Sequence, residues 1–248
     1  MTDLSTILAA TAGAFLLAGF VKGVVGLGLP TVSIGLLGLM MTPSQAAAIV
    51  VVPSLVTNVW QAVSGGGVVS LTRRLWPMLA GICIGTALGA ALLPHDDSGR
   101  ATIWLGLALA LYAALGLVRG HFKVPPRAEI WLGLLAGTAT GAVTVATGVF
   151  VIPGTPYIQS LDLERDRMVQ ALGLSFTVST VTLALALAYA GEIHASVAWP
   201  SLLALGVSIV GMRLGQLVRS RVKPKTFRLC FYIGLLLLGA HLALHGRL

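Results

Sequence analysis

Very few side chains in this sequence can do chemistry, and they are all of one kind. Deep in its apolar stretches stand hydroxyls and amides, Ser54, Thr57, Asn58, Thr147, Ser175 and Ser179, and one cation, Lys22. Around them recur glycines that interrupt long apolar runs, Gly26 and Gly28 in one place and Gly148 in another. Hydroxyls, amides, backbone N–H groups and a lysine are hydrogen-bond donors, the set that holds a small anion. They are not a convergent acid/base set. No nucleotide-binding loop, nucleophile motif or metal-ligand spacing is present, so neither enzyme activity nor a cofactor or metal is expected.

The acidic residues point the same way. All eight (Asp3, Asp96, Asp97, Glu129, Asp162, Glu164, Asp166, Glu192) fall in polar turns or at the ends of apolar segments. Cation carriers and most proton-coupled carriers use carboxylates buried within a span. A cationic substrate is therefore disfavoured, whereas a small anion needs no such group.

Lys22 has two readings, a side chain snorkelling to the cytoplasmic surface or an attracting charge at the mouth of an anion path. Asn58 is either an interhelical hydrogen bond or a substrate contact. The hydroxyls are either bonded to their own helix backbone or part of the site. Gln170 enters a span near its end. Arg213 and Arg219 read as snorkelling side chains, and the five histidines lie near interfaces without forming a ligand cluster. Cys83 and Cys230 have no redox or metal spacing and are expected to be small core residues.

These residues sit in a chain of 248 residues that is 56% hydrophobic and only 10% charged, with a mean hydropathy of +0.94. Such a composition is that of an integral membrane protein with almost no soluble part. The start, MTDLST, lacks a basic n-region, so the first apolar segment is expected to be a mature helix rather than a cleaved signal. The net charge of +8 is expected to reflect cytoplasmic loops rather than nucleic-acid binding.

In order, the apolar segments run Leu4–Met41, Gln45–Val63, Trp76–Leu93 and Ala101–Val118, followed by the charged linker Arg119–Glu129. The first is about twice the length one helix needs to span a bilayer and is broken by Gly19, Gly23, Gly26, Gly28 and Pro30. Broken backbone survives in hydrocarbon only where protein buries it or where it lines a cavity. Gly81, Gly85 and Gly89, four residues apart, form a small-residue stripe for close helix packing.

After the linker the pattern starts again. The run Ile130–Leu161 carries Gly137 and Gly141, a break at Ala146–Gly148, then Pro153 and Pro156. Gly19, Gly23 and Gly28 align with Gly137, Gly141 and Gly148, Ser54 and Asn58 with Ser175 and Ser179, Trp76-Pro77 with Trp199-Pro200, and Gly85 and Gly89 with Gly211 and Gly215. The chain reads as a duplicated half, a first membrane repeat over 1–124 and a second over 125–248.

Five helical segments per half place fourteen basic residues, Lys22, Arg73 and Arg74 among them, on one side and only Arg100 and Arg247 on the other. That is the bias of a positive-inside topology with inverted halves and both termini outside. The expected fold is all-α, two inverted repeats of about five segments each, with broken or re-entrant hairpins. The second hairpin arms, about Gly28 to Met41 and Gly148 to Leu161, are short for a full span, so eight to ten crossings are expected.

GFVKGVVGLGLP in the first half and ATGVFVIP in the second resemble the paired glycine-rich motifs of the TauE/SafE family of sulfite and organosulfonate transporters, over essentially the whole chain. In place of the fuller glycine run usual there, this sequence has Leu29-Pro30 and Val149-Phe150. The resemblance implies a multi-pass protein of the bacterial inner membrane whose partners are the lipid bilayer and a small sulfur-containing anion. Sulfite, thiosulfate and organosulfonates are the candidates, and a homodimer is left open. Export driven by the membrane potential is the leading expectation. The alternatives are ion-coupled uptake of such anions and a non-transporting membrane scaffold.

Overall fold

The computed structural model describes residues 4–64, 66–92, 100–118, 123–219 and 224–245. Asp3, His95, Asp96, Asp97, Ser98, Arg119, His121, Arg221, Lys223 and Arg247 lie outside them.

Ten α-helices account for the described chain, with no strand among the described residues. They are α1 (Leu4–Val25), α2 (Leu29–Leu37), α3 (Pro43–Val63), α4 (Val68–Leu92), α5 (Arg100–Leu117), α6 (Glu129–Thr147), α7 (Gly154–Ser160), α8 (Arg165–Tyr189), α9 (Ala198–Val218) and α10 (Pro224–His245). Eight are long and apolar enough to cross a membrane. The other two, α2 and α7, are the short second arms that follow each glycine break. Both are shorter than the arms expected from sequence, α2 because it ends at Leu37 rather than near Met41 and α7 because the chain does not resume helix until Gly154. The exterior is apolar, and all five tryptophans are exposed, as in a lipid-facing surface with aromatic side chains toward its interfaces.

The first break is made at Gly26 and Gly28, with φ of 86° and 105°. A side chain there would meet its own backbone. Pro30 sits in the first turn of α2, where its missing N–H costs nothing. The second break runs from Gly148 (φ 72°) to Pro153, and its apolar residues Val149, Phe150, Val151 and Ile152 are buried. The carboxyl side of that stretch is held by backbone bonds from Thr155 to Val151 (2.9 Å) and from Tyr157 to Pro153 (3.1 Å). The start of α3 is fixed by a capping box between Thr42 and Gln45, with Pro43 next.

The broken helices pack across the halves, α1 along α9 and α6 along α4. A Cβ on Gly19 or Gly23 would run into the carbonyl of Ser208 or Met212, and one on Gly137 or Gly141 into that of Met78 or Ile82. From the other side, Gly211 and Gly215 face the backbone of Leu16 and Phe20, and Gly81 and Gly85 that of Leu134 and Thr138. Backbones this close gain dispersion and need no hydrophobic drive, which lipid does not supply. In this interlock Gly81 and Gly85 meet α6 as closely as Gly211 and Gly215 meet α1, whereas Gly89 stands farther off.

One end of the bundle collects the basic residues. There Arg74, inside α4 rather than in the turn before it, donates from Nε and Nη2 to the Glu129 carboxylate (3.0 and 2.6 Å) at the start of α6. Arg167 at the start of α8 donates to Ser70 Oγ of α4 (3.1 Å), and Lys123 pairs with Asp162 (2.7 Å). The Tyr157 hydroxyl donates to the Glu129 carbonyl (2.8 Å), and burial pushes its phenol up to about 12, so it remains a donor. Thus α4, α6 and α8 begin at this end. α1 ends at it, because Gly26 bonds there to Gln61 near the end of α3. α1 and α6, the first helix of each half, therefore run in opposite directions.

Two expectations fail. Cys83 and Cys230 are exposed, not core residues. A thiol is apolar enough to face lipid, so an apolar segment does not tell which way its cysteine points. Lys22 does not snorkel and is not part of the surface charge bias, being only 4% exposed.

Candidate functional site

Lys22 lies one turn before the end of α1 and is turned inward by the packing of that helix. Its ammonium donates to Thr57 Oγ1 (3.0 Å) and to Asn58 Oδ1, both on α3. Asn58 in turn donates through Nδ2 to Thr180 Oγ1 on α8 (3.5 Å). Thr57 and Thr180 each pass their own proton back to their helix, to the Pro53 carbonyl (2.7 Å) and the Phe176 carbonyl (2.6 Å). A single polar chain thus joins α1, α3 and α8 through the protein interior.

Among the described residues, every hydrogen-bond partner of Lys22 is neutral. The described carboxylates, Glu129, Asp162, Glu164, Asp166 and Glu192, all sit at helix starts or in turns. A buried cation without a counter-charge is costly, and the surrounding dielectric makes its field strong. The same helices that carry its partners, α3 and α8, also carry buried hydroxyls with no hydrogen bond, Ser54 on α3 and Ser175 and Ser179 on α8, each at most 1% exposed. Ser54 precedes Asn58 by one helical turn, and Ser175 precedes Ser179 by one, so each pair shares a helix face. An unbonded buried hydroxyl costs about 1–3 kcal/mol.

Of the residues singled out by sequence, Lys22, Thr57 and Asn58 are in direct contact, and Ser54, Ser175 and Ser179 lie buried on the same two helices. Gly26 is tied in through its carbonyl, which accepts from Gln61 Nε2 (2.8 Å). The other three have different neighbours. Gly28 abuts Val21 and Phe231, and Gly148 abuts Ile34 and Ala47. Thr147 Oγ1 donates to the Val143 carbonyl (2.7 Å) and accepts from the Val149 N–H (3.1 Å), capping the second break.

Among the other unbonded buried hydroxyls, which include Ser208 on α9, sequence reading missed Thr31 on α2 and Thr155 on α7. Their signal was available, since each directly follows the proline or glycine that restarts a helix. It also left Gln61 without a role. Among the described residues no three His, Cys, Asp or Glu side chains converge as metal ligands would.

Eight helices long and apolar enough to cross a membrane, interrupted by two glycine breaks, define a polytopic membrane protein. The chain belongs to the TauE/SafE family, since the family model described as Sulfite exporter TauE/SafE matches residues 11–242. No curated protein and no solved structure matches the chain.

Proposed function

We propose that this protein moves a small sulfur-containing oxyanion, sulfite, thiosulfate or an organosulfonate, across the bacterial inner membrane. The observation that carries this reading is Lys22, a buried lysine with only neutral partners. An oxyanion offers acceptors only, and the third N–H of the ammonium together with the hydroxyls of Ser54, Ser175 and Ser179 offers donors. Charge-assisted bonds of this type are shorter and roughly twice as strong as neutral ones.

Export follows from the missing intramembrane carboxylates. A cytoplasm-negative potential drives an anion outward by about 2.3 kcal/mol per charge per 100 mV. An exporter can then run without a coupling ion. The basic end of the bundle faces the cytoplasm on this reading, both termini face outward, and the two halves, 1–124 and 125–248, are the inverted repeats of one ancestral unit.

The test is flux of labelled sulfite, thiosulfate and sulfonates from loaded proteoliposomes under a potassium–valinomycin potential of either sign. Efflux is expected to accelerate when the potential opposes retention of the anion. Efflux indifferent to the sign, or one that needs an imposed proton or sodium gradient, overturns uncoupled export. Absence of flux for every anion overturns the transporter reading.

A further inference from the structure

Between the Lys22 cluster and the basic end of the bundle lie two glutamines that no step above uses. Gln61, one turn beyond Asn58 on α3, donates through Nε2 to the Val169 carbonyl on α8 (2.9 Å) and to the Gly26 carbonyl at the break after α1 (2.8 Å). Gln170 on α8 returns the gesture, donating to the Ala62 carbonyl on α3 (2.7 Å), and is 2% exposed. Beside them Gly173 is so close to α3 that a Cβ would stand 2.7 Å from the Ala62 backbone nitrogen and 2.9 Å from the Gln61 carbonyl carbon.

These bonds are unusual in their acceptors. The Val169 carbonyl, inside α8, also accepts from the residue four positions on, and the Ala62 carbonyl, in the last turn of α3, has no such partner, so neither amide bond is part of a helix ladder and each breaks without dismantling one. Gly26 needs no helix at all, being in the break. The clamp is thus reversible, and it joins the three elements, α1, α3 and α8, that carry the polar cluster.

The opposite end of the seam is built differently. At the positions 121 residues away, the offset between Ser54 and Ser175, stand Thr182, Ile49 and Val52 in place of Gln61, Gln170 and Gly173. Thr182 bonds back to the Val178 and Ser179 carbonyls of its own helix (3.1 Å each) and meets Thr86 Oγ1 of α4 (3.2 Å), with no bond to α3. Near the start of α3 a groove of about 620 Å³ opens among Met40, Gln45, Glu192, His194 and Ser196. Among the described residues, side-chain amides reach backbone carbonyls across α3 and α8 only toward the basic end.

We infer that Gln61 and Gln170 form a reciprocal amide gate which closes the basic end of the α3–α8 seam over the Lys22 cluster and must open for an anion to enter from that side. This rests on the carrier reading, so its test uses access rather than flux. In the full-length protein with Cys83→Ala and Cys230→Ala, Ser179→Cys supplies one thiol within the seam. A membrane-impermeant maleimide is applied to sealed vesicles from the basic side or from the other side, with Gln61 and Gln170 intact or replaced by Met, which keeps the shape and loses the donors.

Labelling from the basic side is expected to be slow with both glutamines present and to rise about tenfold or more in Gln61→Met/Gln170→Met, each lost bond contributing several-fold. Labelling from the other side is expected to stay the same. Should the double variant not fold, each single variant is expected to give an intermediate acceleration. Unchanged labelling in the variants, or equal acceleration from both sides, overturns the gate. If labelling changes as expected while no anion is carried, the gate stands and the transport reading alone falls.

Discussion

The two breaks of this molecule share a backbone plan and differ in chemistry. After α1 the chain turns through Gly26 and Gly28, and after α6 through Gly148. Both broken helices lock glycine to backbone against a partner from the other half. In that interlock Lys22 and Thr140 occupy matching places, each one residue before the second glycine. Lys22 reaches across to α3, whereas Thr140, fully buried, donates to its own Ala136 carbonyl (2.6 Å). Glycine packing is thus alike at both breaks, whereas the polar residues beside them differ, and the buried lysine stands at the first break alone.

That asymmetry is most easily broken at the cation. Lys22→Met is expected to weaken anion binding by about 10–100-fold, the value of a charge-assisted bond, and to leave the anion-free protein at least as heat-stable, since an uncompensated buried charge is removed. Thr140→Val is expected to change binding less than about threefold, because its hydroxyl serves only its own helix. Anion-dependent thermal shift on both variants checks this. Equal losses at the two positions would mean that the halves contribute alike.

The breaks themselves should separate next. Gly28→Ala is expected to cost ~1–2 kcal/mol, the penalty of a side chain in the left-handed region, and its new methyl meets only Val21 and Phe231 at 3.3 Å or more. Gly148→Ala pays the same penalty and also presses on Ile34 Cδ1 at 2.8 Å, so its melting temperature should fall further. The leucine variants should extend the series, with Gly28→Leu and Gly148→Leu losing transport. A reversed order would place the tighter joint in the first half.

A smaller difference is expected between the matched polar residues. Asn58→Ala loses its bonds to Lys22 and Thr180 and should weaken binding about fivefold, while Ser179→Ala should do so by less, measured by flux at subsaturating anion.

The smallest effect is at the surface. The Lys123 ammonium holds the Asp162 carboxyl below the usual carboxylate range. A carboxyl lowered on folding contributes stability that is complete above its unfolded value and is lost as pH falls through its folded value. The contribution should therefore disappear only below about pH 4. Because the pair is exposed, Asp162→Asn, which tolerates the positive φ of 52° there, should leave the melting temperature at neutral pH unchanged.

Much of this was legible in the sequence. Long continuous apolar runs point to a membrane-embedded helical chain, since only helices and closed barrels satisfy backbone groups in lipid and barrel strands alternate apolar with polar. The glycine and proline positions mark both breaks, because left-handed turns and a helix restart at Pro30 are local requirements of the backbone. The absence of acid within the spans is likewise a matter of reading. Tertiary structure alone decided which way side chains point. Lys22 was equally at home snorkelling or buried, and only the approach of α3 turned it inward. The two cysteines face lipid because in this protein both the exterior and the interior are apolar, so hydropathy carries no signal for orientation. The Gly81 and Gly85 register, the bond from Asn58 to Thr180 and the crossed amides of Gln61 and Gln170 join residues up to 122 positions apart. Such contacts depend on how helices cross, which no local spacing encodes.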